Sequence, residues 1–226
     1  MLPSSHSKNN KTLIILAVFL FIYYGLPPIY AKFPEIVANK YFLLSSNLLM
    51  PLVMIGVIYL LYKTIYITPR NFLTLPYWEI SKTTIKWILA ALGSNIVWTI
   101  ILVVCGFEYH APAIEEILSK GDNLTIFSIC FLAVCIAPIA EELTFREVIY
   151  NEISKYSPPQ YSMVITSLLF AVAHNEFWQI PGLFILGYTF QMHRNKYNNI
   201  ESAIFAHTLN NFLALVLFLI AKLYAY

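Results

Sequence analysis

Long apolar stretches broken by short polar ones organise this chain. Leu13–Tyr24, Leu48–Leu61, Ile85–Val104 and Leu124–Ile139 carry almost no charge. A run of about 18 to 25 apolar residues matches the hydrocarbon thickness of a bilayer. The pattern predicts about seven membrane spans, near residues 12–30, 44–66, 84–105, 124–145, 160–178, 180–193 and 201–221. Pro27-Pro28, Pro69, Pro76, Pro112 and Pro158-Pro159 fall between the runs, where prolines bound helices. The sixth stretch has only about 14 residues, so it must be short, tilted or shielded by its neighbours. The predicted fold is all-α: a multi-pass transmembrane helical bundle forming a single integral membrane domain over residues 1–226.

Composition strengthens the membrane assignment. Hydrophobic residues make up 59% of the chain and charged residues 12%, about half the charged share of a soluble domain. Too few charges remain to cover a soluble core of this size. A net charge of +2 gives no footing for nucleic acid. Lys8 and Lys11 ahead of the first run resemble a signal peptide, but Gly25-Leu26-Pro27-Pro28 is not a small-residue cleavage site, so this run is expected to stay as the first helix. Cys105, Cys130 and Cys135 lie in apolar runs without a CxxC and are expected to be small buried hydrophobes.

Charge placement predicts an orientation. With the N-terminus in the cytoplasm, Lys8, Lys11, Lys63, Arg70, Lys82, Lys86, Arg146, Lys155, Arg194 and Lys196, ten of the fourteen basic residues, fall inside. Lys32, Lys40, Lys120 and Lys222 fall outside, as does the acidic segment around 106–123. The expected location is a cell membrane, with the bilayer as one partner and nucleic acid excluded.

Ionisable groups at membrane depth are costly and mark a functional site or an internal pair. The first half of the chain has almost none in its runs and reads as scaffold; the second half has three clusters. In Ala137-Pro138-Ile139-Ala140-Glu141-Glu142-Leu143-Thr144-Phe145-Arg146, Glu142 and Arg146 are four apart and share a helix face, which predicts an ion pair. Glu141 points about 100° away from Glu142, so one carboxylate can be neutralised while the other faces elsewhere. A helix end reaching the interface would explain this cluster alone. His174 closes the apolar stretch Ser167–Ala173, where a packed or interfacial histidine is the plain alternative. His207 and Asn211, four apart in the last span, share a face; the alternative is helix–helix hydrogen bonding.

Together the clusters say more than each alone. A glutamate in a bundle can act as general base on water, a histidine can share that role, and a second histidine with an asparagine can donate to an oxyanion. The set suits peptide hydrolysis. No G-x-S-x-G and no HExxH occurs, and the cysteines lie away from the clusters.

Glu141-Glu142-x-x-x-Arg146, Phe170-x-x-x-His174 and His207-x-x-x-Asn211, in that order, resemble the three motifs of the CAAX protease and bacteriocin-processing (Abi) family, which includes the type II CAAX prenyl endopeptidases. Ala137-Pro138, Phe145, Gly182 and Gly187 agree with the flanking pattern, and the resemblance covers about residues 128–213. It implies an intramembrane endopeptidase whose cavity opens to the cytoplasmic side, acting on a peptide or membrane-associated protein. By resemblance Glu141 is the base, His174 holds and polarises the water, His207 and Asn211 form the oxyanion site, and Glu142 and Arg146 support them. No metal is assigned; Glu141, His174 and His207 would be the ligands if a divalent metal such as zinc were used. Two positions depart from the family pattern: Glu147 stands where glycine often follows the arginine, and Arg194–Ile200 lacks the usual glycine-containing turn. The bacterial members suggest maturation of a secreted peptide (a bacteriocin or signal peptide) or self-immunity. Two other classes compete. One is a non-catalytic immunity or regulatory protein that binds a partner in the bilayer. The other is a proton-coupled transporter, disfavoured because the polar residues gather in one place and no inverted repeat is visible.

Overall fold

The computed structural model describes residues 40–61, 72–110 and 122–224, together with the isolated positions 14, 15, 17, 18 and 32. Among the described residues the fold is all-helical, without strands. The helices are α1 (Lys40–Leu61), α2 (Tyr77–Val104), α3 (Asn123–Ile153), α4 (Pro159–Ala173), α5 (Ile180–Tyr197) and α6 (Ile200–Tyr224). The predicted first span, about 12–30, lies almost wholly outside the described residues.

Among the described residues three helices, α2, α3 and α6, are long and apolar enough to cross a membrane. Leu49–Leu60 of α1 and the whole of α4 are shorter apolar helices. The fifth predicted span thus becomes a 15-residue helix, about 22 Å long and less than the hydrocarbon thickness. The predicted sixth span is part of α5, which is shielded: Gly182, Gly187, Thr189, Phe190, Gln191 and His193 are buried, and α5 packs on α2, α4 and α6. The protein is a membrane protein with far more apolar surface than a soluble fold would leave bare, including Leu89, Ile96, Phe127, Leu168 and Leu217, all at least half exposed.

The chain forms two compact units. The first comprises Met1–Tyr66 and Asp122–Glu152, the second Ile67–Gly121 and Ile153–Tyr226. In the first unit α1 packs along the middle of α3. Pro51, Met54 and Ile58, three and four residues apart, are buried, as expected of one helix stripe. Asp122 caps α3 by accepting from the Thr125 N–H at 2.8 Å.

In the second unit α5 is the central element, flanked by α4, α2 and α6. Pro158 and Pro159 open α4, and Pro181 sits in the first turn of α5, where a missing N–H costs nothing. Asn198, with φ of 47°, closes α5 in the left-handed conformation, and the Asn199 side chain then accepts from the Glu201 N–H at 2.7 Å to start α6. This resolves one departure noted in the sequence: the turn without glycine uses asparagine, the other residue that tolerates this conformation.

Candidate active site

The glutamate half belongs to the first unit. α3 departs from regular α-helix twice, with π-helical segments at Leu132–Ile136 and Leu143–Ile149 around the α-helical turn Ala137–Glu142. Both have local causes. Pro138 has no N–H, and its ring would press on the Val134 carbonyl in a regular helix; the widened turn before it passes the bonding to the Ala137 N–H, which reaches Leu132. The Thr144 hydroxyl donates to the Ala140 carbonyl at 2.7 Å, and such back-bonding loosens the backbone ladder at the start of the second segment. Single-turn π-insertions of this kind occur frequently at functional sites.

The carboxylates held there differ. Glu142 and Arg146 form the ion pair their spacing predicts, Oε2 to Nε at 2.9 Å, with both side chains fully buried. The Arg146 guanidinium also lies 5.8 Å from the Phe145 ring centroid. Glu141 is only half-buried. The sequence therefore keeps one carboxylate as a charge partner inside the protein and leaves its neighbour on another face.

The histidine half belongs to the second unit. His174 follows the last residue of α4, and its Nδ1–H donates to the Phe170 carbonyl at 2.7 Å. In the neutral ring this bond makes Nε2 the basic nitrogen. Asn175 then takes φ of 53° and turns the chain out of the helix. His207 is buried in α6, stacked on Phe190 at 4.6 Å and 15°. Phe170 stands between the two histidines, 4.4 Å from His174 and 5.8 Å from His207, centroid to centroid. Asn211, one turn after His207, is half-buried and accepts from Asn210 Nδ2 at 3.0 Å.

Several contacts that hold this half were not read from sequence. Phe190 stacks on His207, and Gly187 makes room for Phe170: a Cβ there would meet Phe170 Cδ1 at 3.0 Å. Asn95, in α2, accepts from the Gly182 N–H at 2.8 Å, and a Cβ on Gly182 would lie 2.4 Å from the Asn95 amide. The first turn of α5 has no cap of its own, so Asn95 acts as its cap from another helix. Three residues on, Trp98 Nε1–H donates to the Phe177 carbonyl at 3.0 Å in the connection after His174. One signal was available, since Asn95 is an amide inside the apolar run Ile85–Val104.

Taken separately, neither unit gathers three or more His, Cys, Asp or Glu side chains as a metal centre would require, among the described residues.

Residues 123–213 match the family model of the type II CAAX prenyl endopeptidase Rce1-like proteins. Over these residues the chain is similar to the CAAX protease (Abi) family. The matched segment contains all six residues singled out above, from Glu141 to Asn211. The chain is 26% identical over 144 residues to the membrane-embedded CAAX protease MroQ of Staphylococcus aureus (strain USA300), covering 59% of this chain and 58% of that protein. It is 28% identical over 172 residues to the UPF0177 protein YxdF of Lactococcus lactis subsp. lactis (strain IL1403), covering 72% of this chain and 90% of that one. The chain thus spans 58% of the length of the staphylococcal relative. No solved structure matches it.

Proposed function

We propose that the protein is an intramembrane endopeptidase of the bacterial plasma membrane that hydrolyses a peptide bond with activated water. The observation that supports this most is the histidine pair on Phe170, with His174 Nδ1 engaged by a backbone carbonyl within a segment matching a protease family. Glu141 takes the proton from water as hydroxide attacks the carbonyl carbon. His174 Nε2 orients that water. His207 and Asn211 donate to the oxyanion, which develops where bulk water does not compete. Glu141 then returns the proton to the leaving amine as the C–N bond breaks. Glu142 stays paired with Arg146 and keeps its charge away from the reaction. If a divalent metal such as zinc were recruited, Glu141, His174 and His207 would hold it, and it would supply Lewis-acid polarisation of the water.

His207 lies seven residues, about 10 Å of helix, from the start of α6. That end carries Lys82 and Lys196, and basic residues mark the cytoplasmic side. The N-terminus in the cytoplasm, which charge placement along the sequence predicts, is part of the proposal, with access to the site from that side. The proposed substrate is a short peptide or membrane-associated protein, in maturation of a bacteriocin or signal peptide or in self-immunity.

The test uses the full chain in liposomes with a library of membrane-anchored peptides, products being read by mass spectrometry. Wild type should cleave a subset, and Glu141→Gln should lower the rate at least 100-fold, in line with loss of a general base. Undiminished cleavage by that variant would refute the mechanism. The burial of His207 between two phenylalanines also fits a non-catalytic immunity or regulatory protein. Survival of a cellular immunity phenotype after joint loss of His174 and His207 would favour that second reading.

A further inference from the structure

The second unit distributes its charge unevenly along its length. Thr84 Oγ1 lies 3.2 Å from His193 Nε2, and Tyr77 packs edge-on against Phe205 at 4.7 Å. The start of α2, the end of α5 and the start of α6 therefore share one end of the unit. The six-residue connection between α4 and α5 returns the chain antiparallel and brings the start of α4 to that end as well. Lys82, Lys86, Lys155, Arg194 and Lys196 fall there; Lys222 alone among the described basic residues of this unit falls at the other.

Three of these lysines share a further feature. Lys82 Nζ lies 5.7 Å from the Trp78 ring centroid, Lys86 Nζ 5.9 Å from that of Trp87, and Lys196 Nζ 5.1 Å from that of Tyr197. All three lysines are exposed, and Trp78 is 72% exposed. Lys82 also meets Glu79 at 3.4 Å, with both side chains more than half exposed, where solvent makes such a pair weak. Helix length fixes the depth. α2 has 28 residues, about 42 Å, against about 30 Å of hydrocarbon. Counting 20 residues back from Val104 puts the core boundary near Ile85, so Trp78 and Lys82 emerge into the headgroup layer and Lys86 lies at its edge. Tryptophan and tyrosine favour that layer for their amphipathic rings, and lysine there meets lipid phosphate.

We infer that this end of the second unit is a binding surface for anionic phospholipid headgroups, in which Lys82, Lys86 and Lys196 contact phosphate while Trp78, Trp87 and Tyr197 anchor in the interface. The surface is independent of the endopeptidase proposal, since none of its residues belongs to the site. The full chain should be reconstituted in nanodiscs of phosphatidylcholine alone and with added phosphatidylglycerol, and its thermal unfolding followed. Phosphatidylglycerol should raise Tm by about 5 °C, and 0.5 M NaCl should remove most of that gain by screening. The triple variant Lys82→Gln, Lys86→Gln, Lys196→Gln should lose at least half of it. The corresponding triple arginine variant should keep it, as should Lys222→Gln at the other end. Equal Tm values in both lipids would overturn the proposal, as would a full gain in the glutamine variant or an equal loss in Lys222→Gln.

Discussion

The glutamate half and the histidine half are built by opposite means. In the first unit a single helix does almost everything: proline, threonine and two widened turns within α3 present the acids, and the cation that neutralises Glu142 lies four residues along the same helix. In the second unit no helix suffices. His174 and His207 come from α4 and α6, Phe190 and Gly187 from α5, and the capping amide from α2. A charge can be managed locally because an i,i+4 neighbour reaches it. The setting of His207 cannot, because Phe170 and Phe190, the rings around it, come from other helices.

The contrast can be broken hardest at Arg146. Arg146→Met should leave Glu142 buried without its cation and cost about 3–5 kcal/mol, seen as a fall in Tm and in membrane-extracted yield. Pairing it with Glu142→Leu should restore much of the loss, because an apolar pair of similar volume replaces a buried ion pair well. If the single variant is as stable as wild type, the local account of the first unit fails. The next largest effect belongs to the second unit. Asn95→Leu should strand the Gly182 N–H and cost about 1–3 kcal/mol, measurable by denaturant unfolding in mixed micelles. Asn95→Asp, which retains the acceptor, should cost less; equal losses would mean that packing, not capping, holds α5. Phe190→Leu should cost about 1 kcal/mol and remove the stacking on His207, itself worth about 0.5–1.5 kcal/mol. Its sharper readout is the nuclear magnetic resonance of ring-labelled histidine, where the His207 ring signals should move downfield as the Phe190 ring current is lost. Unmoved signals would deny the stack. The smallest effect is expected at Asn198→Gly, a gain of a few tenths of a kcal/mol at a left-handed helix end, with cleavage unchanged.

The same contrast explains what could be read from sequence. The ion pair of Glu142 with Arg146 followed from spacing alone, as did the shared helix of His207 and Asn211. The apolar runs located α2, α3 and α6 and most of α1. The length of α4 was harder to read: the predicted span ran to residue 178, but the helix stops at Ala173, where His174 and Asn175 turn the chain. The π-helical turns were not legible: proline and threonine announce a disturbance without specifying its form. Asn95 and Phe190 stayed hidden for a different reason. Their roles depend on Gly182 and His207, remote in sequence, and no periodicity within one helix encodes a partner on another. Gly187 was noticed as part of a pattern, but its use as space for Phe170 emerged only from the packing.

Asn95 and Gly182 are separated by 87 positions, and that interval bears on how the protein is made. During synthesis α2 enters the bilayer well before the α4–α5 hairpin leaves the ribosome, so the acceptor for the first turn of α5 is in place when the hairpin arrives. The hairpin is then inserted against a template and need not expose a bare helix start to lipid. A rearranged gene encoding α2 after α5 would retain every contact of the finished unit and lose that order, and the nascent hairpin would be open to quality-control proteolysis.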